Sequence, residues 1–107
     1  MDLNEYQHLA ARTINQDLTW AQVEDHALHG MSAEIGEIHS IYQKRYQGHD
    51  VNESEMMKEL GDLLWFCAEF ATTHGWTLDE VCKMNIDKLL KRYPGGFSAD
   101  RSINRTE

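Results

Sequence analysis

The chain has little proline, little cysteine and a deficit of basic residues. Pro94 is the only proline among 107 residues, so no proline interrupts a helix before that point. Ten lysines and arginines stand against 18 aspartates and glutamates, which gives a net charge of −8. A protein that holds nucleic acid through its phosphates needs a basic face, so this composition argues against that class.

Long apolar runs are also missing. No stretch approaches the roughly 20 residues that span a bilayer, so we expect no membrane association. The first residues, MDLNEYQHLA, are acidic and lack the apolar core of an export signal, so we expect a cytoplasmic location. Cys67 and Cys82 fall in helical patterns without CxxC spacing, and we expect reduced thiols in the core.

The pattern that remains is helical. Apolar residues recur with helical spacing, and no segment alternates with the period of a strand. Capping signals and Gly75 divide the chain into four predicted helices, at about residues 3–15, 19–46, 53–73 and 77–93. Residues from about 94 to 107 form a polar tail that we expect to be irregular. We expect one domain, residues 1–107, folded as an all-α antiparallel four-helix bundle.

Two acidic pairs lie at the edges of apolar helix faces. Glu34 and Glu37 stand in SAEIGEIH, and Glu59 and Asp62 stand in KELGDLLWF. Residues three apart project from one side of a helix, so two facing helices would bring four carboxylates together. Four carboxylates repel each other unless a cation lies between them, and Mg²⁺ prefers oxygen ligands. The alternative is that these acids are solvated helix edges without a function.

Glycines and basic residues accompany the acidic pairs. Gly36 and Gly61 each lie inside a pair, where glycine costs roughly 1 kcal/mol relative to alanine, which suggests close approach of the helices. On the fourth helix Asn85, Lys88 and Arg92 share a face, and lysine and arginine bind phosphates. Basic residues also complement the dipole at a helix C-terminus, so this alternative stays open.

The order of these motifs resembles the MazG-like branch of the all-α nucleoside triphosphate pyrophosphohydrolases. The resemblance runs from YQHLAART to NIDKLLKRYPGGFSADRS, and its hallmark of ExxE, a spacer and ExxD corresponds to Glu34, Glu37, Glu59 and Asp62. It implies Mg²⁺-dependent hydrolysis of an NTP or dNTP to the monophosphate and pyrophosphate, with Mn²⁺ as a substitute. The four acids would be both metal ligands and catalytic residues, and the activity would serve nucleotide-pool housekeeping.

The resemblance also implies roles for other residues. Asn85 would contact the nucleoside, and Lys88 and Arg92 would clamp phosphates. Trp20, at the start of the second helix, is the aromatic residue that we expect to contact a base. A homodimer or homotetramer is expected, with sites near the subunit interfaces. Many members carry a further glutamate where this chain has Ala33, which leaves the number of bound metals open.

Two other functions fit parts of the sequence. A carboxylate-bridged di-iron bundle needs Glu-x-x-His on two helices, and the acidic motifs here lack it, although Glu5 and His8 form one instance elsewhere. A non-catalytic interaction protein would keep the helical bundle with a vestigial acidic site. Phosphate release that depends on Mg²⁺ or Mn²⁺ would favour the hydrolase, and bound iron would favour the di-iron bundle.

Overall fold

The structure, a computed structural model, describes residues 1–105, which contain five α-helices. These are α1 (Leu3–Ala11), α2 (Trp20–Gln43), α3 (Glu53–Thr73), α4 (Leu78–Arg92) and α5 (Ala99–Ile103), with a short 3₁₀ helix at Lys44–Gln47 after α2. No strand occurs among these residues, which confirms the all-α class. Thr106 and Glu107, the end of the predicted polar tail, lie outside the described residues.

Side-chain caps start the main helices where the sequence predicts them. Thr19 accepts a hydrogen bond from the backbone N–H of Gln22, and the Gln22 side chain accepts one from the backbone N–H of Thr19. Asn52 caps α3 and Thr77 caps α4, each by accepting a hydrogen bond from the backbone N–H three residues later. The ends are less well predicted, because α1 stops at Ala11 and α2 gives way to the 3₁₀ helix before residue 46.

The polar tail is not wholly irregular. Ser98 accepts a hydrogen bond from the backbone N–H of Arg101 and so caps α5. At the other end, the Asn104 side chain donates to the backbone and side-chain oxygens of Asp100. These polar contacts stabilise a single helical turn, so the prediction of an irregular tail is wrong over Ala99–Ile103.

The central helix of the chain is α3. Most of the contacts of α3 are with α2, and α1 packs on α3 as well. His26 pairs with Glu69, and Gly30 lies against Phe66, so residue numbers rise on α2 as they fall on α3. The two helices are therefore antiparallel.

The fourth helix diverges from this arrangement. The side chain of Gln7 accepts a hydrogen bond from the backbone N–H of Leu78, and Asn4 accepts one from Asp79, so the first turn of α4 is held on α1. Contacts between α4 and α3 are fewer than those between α2 and α3. A closed four-helix bundle therefore stays a prediction for the assembled protein.

The core of the single chain is small. Its buried hydrophobic residues are Ala10, Ile14, Val23, Ala27, Ala68, Ala71 and Leu78. Larger side chains at helical spacing, including Ile35, Leu60 and Leu64, are about half exposed. The radius of gyration is 17.2 Å, whereas a compact chain of this length has about 13 Å. A single chain therefore leaves much apolar surface uncovered.

The two cysteines lie on α3 and α4. Cys67 and Cys82 are both free thiols. Cys67 is partly buried, and burial raises the pKa of its thiol. Cys82 is exposed because α4 packs only lightly on the other helices, so the prediction of a core position is wrong for this residue.

None of the helices within residues 1–105 combines the length and the apolar composition of a membrane span.

Candidate metal centre

Three of the four predicted acids meet between α2 and α3. One carboxylate oxygen from each of Glu34, Glu59 and Asp62 lies within 4.8 Å of the other two. Glu59 and Asp62 are neighbours along one side of α3, and Glu34 reaches them from the antiparallel α2. The three oxygens form a donor set of the kind that hard divalent cations prefer.

The fourth predicted acid, Glu37, is not part of this group of three. It follows Glu34 on α2 by about one turn, and its side chain is exposed. Its charge still reaches the group, because it is one of the causes that raise the pKa of Glu34. A direct ligand role for Glu37 stays a prediction.

The crowding of negative charge acts most strongly on Glu34. A hydrogen bond with Glu59, burial and the neighbouring carboxylates together raise the pKa of Glu34 to about 7. Two carboxyl groups can share a hydrogen bond only when one of them is protonated. Without that proton, the buried Oε2 of Glu34 has no hydrogen-bond partner within residues 1–105. A proton or a cation would satisfy this oxygen, so the donor set fits a metal ion.

The glycines inside the acidic pairs lie next to open space. A Cβ added to Gly36 or Gly61 would meet no atom within 4 Å. The prediction that these glycines allow close helix approach is therefore wrong for the single chain. The close approach occurs at Gly30 instead, where a Cβ would overlap the ring of Phe66. The space beside the acidic group remains open to a ligand or a second subunit.

Two of the three residues predicted on α4 line a cavity of the structure. Asn85 and Lys88 line a cavity of about 460 Å³ whose other lining residues are Trp76, Glu80, Val81 and Met84. Arg92, at the end of α4, places its guanidinium 5.8 Å from the centroid of the Tyr93 ring. Lys88 makes no ion pair within residues 1–105. The lining of that cavity includes none of the acidic residues Glu34, Glu59 and Asp62.

Trp20 is also separate from the acidic group. It is 62% exposed at the start of α2 and lines a cavity of about 120 Å³. Its position is fourteen residues before Glu34 on the same helix, which is about 21 Å along the axis at 1.5 Å per residue. A role for Trp20 in binding a base stays a prediction.

Sequence reasoning missed a buried carboxylate at the same helix interface. Glu69 of α3 is 2% exposed, and its two oxygens lie 2.8 and 3.1 Å from Nδ1 of His26 on α2. Its position in the sequence could have indicated burial, because Glu69 follows Asp62 by seven residues and lies inside the apolar run LLWFCAEFA. Two helical turns place such residues on one side of the helix. The partner of Glu69 was not readable from spacing alone.

Fold and site together define a class: helical proteins in which carboxylates from antiparallel helices form a group that could hold a cation. The family model for the MazG nucleotide pyrophosphohydrolase domain matches residues 22–97, well over half of the chain, and the chain belongs to this family. The matched segment includes Glu34, Glu59 and Asp62, and it confirms the resemblance drawn from the order of the motifs. No curated protein and no solved structure matches the chain.

Proposed function

We propose that the protein is a Mg²⁺-dependent nucleoside triphosphate pyrophosphohydrolase that converts an NTP or dNTP to the monophosphate and pyrophosphate. The observation that carries this proposal is the convergence of Glu34, Glu59 and Asp62 within 4.8 Å in a chain of the MazG family. Mn²⁺ would substitute for Mg²⁺, since both accept oxygen ligands. The activity would serve nucleotide-pool housekeeping in the cytoplasm.

The acidic residues would hold the cation. Glu34, Glu59 and Asp62 supply the central oxygens, and Glu37 joins them when substrate and metal are present. Ligand carboxylates bind metals in their deprotonated form, so the proton that Glu34 retains below a pH of about 7 must leave. A bound Mg²⁺ would supply charge neutralisation for the triphosphate and would lower the pKa of a water at the site.

The residues of α4 and the start of α2 would hold the nucleotide. Lys88 and Arg92 bind phosphate oxygens by charge and hydrogen bonding, Asn85 contacts the nucleoside, and Trp20 contacts the base. Asn85 and Lys88 already share one cavity. Because the lining of this cavity includes none of the acidic residues, we propose that a second subunit brings the two groups together.

The proposed assembly is a homodimer or homotetramer. Leu60 and Leu64 follow Glu59 along α3 and are each 52% exposed. A second copy packed on this face would remove the apolar surface from water, which stabilises the assembly by about 25 cal/mol for each Å². Neighbouring copies would also supply α4 or Trp20 to the acidic group.

The oligomer is tested with Leu64→Glu, which places a charge on this face. We expect light scattering after size-exclusion chromatography to show a shift toward monomer, together with a loss of activity. The control is Ser54→Glu, which adds the same charge in the first turn of α3, where acidic residues are tolerated. A Leu64→Glu protein that keeps the wild-type mass would contradict the proposed interface.

The activity is tested by pyrophosphate release from a panel of NTPs and dNTPs with Mg²⁺. We expect Glu59→Ala to lower kcat/KM by about 10²- to 10³-fold or more, because it removes a ligand of the cation that would neutralise the charge developing on the phosphate oxygens. Glu53→Ala is the matched control, since it removes a glutamate of the same helix outside the acidic group. If the wild-type protein is folded and releases no pyrophosphate from any substrate, the proposal is contradicted. That result would favour a non-catalytic interaction protein.

A further inference from the structure

The pair formed by Glu69 and His26 is not used by the proposed hydrolysis. Glu69 is the one buried charged residue within residues 1–105, and both of its oxygens lie near Nδ1 of His26. Burial of a carboxylate costs free energy that a single hydrogen-bond partner offsets only in part. An apolar side chain at this position of α3 would pack among its neighbours without that cost. The pair therefore calls for a reason beyond packing.

The hydrogen bond with Glu69 fixes the orientation and the tautomer of the His26 imidazole. A carboxylate only accepts hydrogen bonds, so Nδ1 of His26 carries the proton and donates it to Glu69. In the neutral ring, Nε2 then has a free lone pair. The His26 side chain is 52% exposed, and Nε2 has no partner within residues 1–105. The structure thus presents a fixed hydrogen-bond acceptor to solvent.

Aromatic neighbours hold this acceptor in place. The Trp65 ring meets the His26 ring edge-on at a centroid distance of 6.3 Å, and the Phe66 ring lies at 5.6 Å. Trp65 is itself fixed, because its indole N–H donates to Thr13 Oγ1 at 2.8 Å. Rings on two sides and Glu69 behind leave His26 little freedom to turn.

The acceptor lies at the same helix interface as the acidic group. Successive contacts along α2 and α3 are those of Glu34 with the acids of α3, of Gly30 with Phe66, and of His26 with Glu69. His26 precedes Glu34 by eight residues, which is about 12 Å along the helix axis. The Phe66 ring lies between them. A nucleotide whose phosphates bind the acidic group, and which lies along α2 and α3 on this side, would bring its base toward Phe66 and His26.

We propose that His26 is a specificity-determining residue for the base and that Glu69 is its positioning residue. This inference rests on the proposed function and adds a substrate class to it: nucleotides whose base carries an exocyclic amino group. An amino group donates to the Nε2 lone pair, whereas a keto oxygen at the same ring position faces that lone pair and is repelled. Cytosine is then preferred over uracil, and adenine over hypoxanthine.

The test compares substrates that differ at this one ring position. CTP is paired with UTP, and ATP with ITP, and kcat/KM is measured for each with Mg²⁺. We expect the wild-type protein to prefer the amino base by about tenfold, the size that one net hydrogen bond gives. His26→Phe keeps a ring against Trp65 and Phe66 but removes the acceptor, so this preference should fall to about one.

Two further variants separate binding from folding. His26→Phe leaves Glu69 buried without a partner, so the double variant with Glu69→Leu removes both polar groups and keeps the fold. The double variant should also show no preference. The matched control is Glu24→Gln, which breaks a second carboxylate–imidazole pair, formed between Glu24 of α2 and His74 just after the end of α3, at 3.2 Å. Since both side chains of that pair are a third or more exposed, we expect it to leave the preference unchanged.

The role of Glu69 is tested by measuring the tautomer of the His26 ring, which a purely structural role of Glu69 would not change. Glu69→Gln offers His26 an amide that both donates and accepts, so either tautomer of the ring can form. In ¹⁵N spectra of the neutral imidazole, we expect an unprotonated Nε2 in the wild-type protein and a mixture of tautomers in Glu69→Gln. Base preference should fall in the same variant. An unchanged tautomer with an unchanged preference would overturn the positioning role.

The outcomes distinguish this inference from the proposed function. Hydrolysis by the wild-type protein with a preference that survives in His26→Phe, or with a preference for keto bases, overturns the inference and leaves the hydrolase standing. Where no substrate is hydrolysed, the hydrolase proposal fails, and the ¹⁵N spectra decide the inference. A shift of the His26 Nε2 resonance with CMP or AMP and Mg²⁺, but not with UMP or IMP, supports it. No shift with any monophosphate overturns it.

Discussion

The interface between α2 and α3 is closed at one end and open at the other. At the closed end, where α1 also packs, Val23, Ala27, Ala68 and Ala71 are at most 3% exposed. One carboxylate–imidazole pair crosses the interface there, and a second joins α2 to the residue that follows α3. At the open end, Glu34, Glu59 and Asp62 share a small volume, and leucines beside them remain half exposed.

Contacts within the single chain stabilise the closed end more than the open end. Small side chains at the closed end let the helices approach, and each buried polar group there has a partner. At the open end, like charges oppose each other, and the space beside Gly36 and Gly61 is unfilled. A cation with its substrate, or a second subunit, would relieve this repulsion or fill this space.

The largest effect should come from filling the closest helix contact. Gly30→Ala places a Cβ where the ring of Phe66 lies, so the ring or the helix must move. We expect a loss of about 1–3 kcal/mol in the free energy of unfolding, as for other overpacked cores. Urea denaturation followed by circular dichroism measures it. An unchanged midpoint would show that the Phe66 ring repacks freely and that the closed end is not tightly packed.

A smaller effect should follow from titration at the open end. The pKa of Glu34 is about 7 in the folded chain, above its ordinary value of 4.5. The folded state then binds more protons than the unfolded state between these values. The contribution of Glu34 to stability is full below pH 4.5 and is lost as the pH rises through about 7.

Magnesium should compensate for that loss. Because Mg²⁺ takes the place of the proton, we expect 10 mM Mg²⁺ to raise the Tm more at pH 8 than at pH 6, with a difference of about 2–4 °C. Differential scanning fluorimetry at both pH values measures this. Glu34→Gln is the control, since it cannot titrate, and it should show little dependence of the magnesium effect on pH. An equal gain at both pH values in the wild-type protein would contradict the assignment of the cation to this group.

The smallest effect should come from filling the open space. Gly36→Ala and Gly61→Ala add a Cβ that meets no atom of the single chain and replace glycine inside a helix. Each should stabilise the chain by about 0.5–1 kcal/mol through helix propensity and the unfolded state. Urea denaturation of a monomeric background such as Leu64→Glu measures this directly. Destabilisation in the wild-type background alone would show that a second subunit occupies the space.

Local signals predicted the helix starts and the acidic group, while contacts between distant segments escaped them. A cap such as Thr19 is read over four residues, and the spacing of Glu59 and Asp62 places both on one side of α3. The pairing of His26 with Glu69 depends on the register between two helices, which no spacing within one helix reveals. The divergence of α4, and with it the exposure of Cys82, depends on contacts with α1 that are likewise non-local.

The side chain of Gln7 has a consequence for the kinetics of folding. Its amide donates to the Trp76 backbone oxygen at 2.8 Å, across 69 residues of chain, and accepts from the Leu78 N–H at 2.6 Å, across 71. Closing so long a loop is slow compared with forming the α2–α3 hairpin, whose partners are nearer in sequence. The hairpin should therefore fold first and this contact last. Gln7→Ala should then accelerate unfolding and leave the folding rate nearly unchanged.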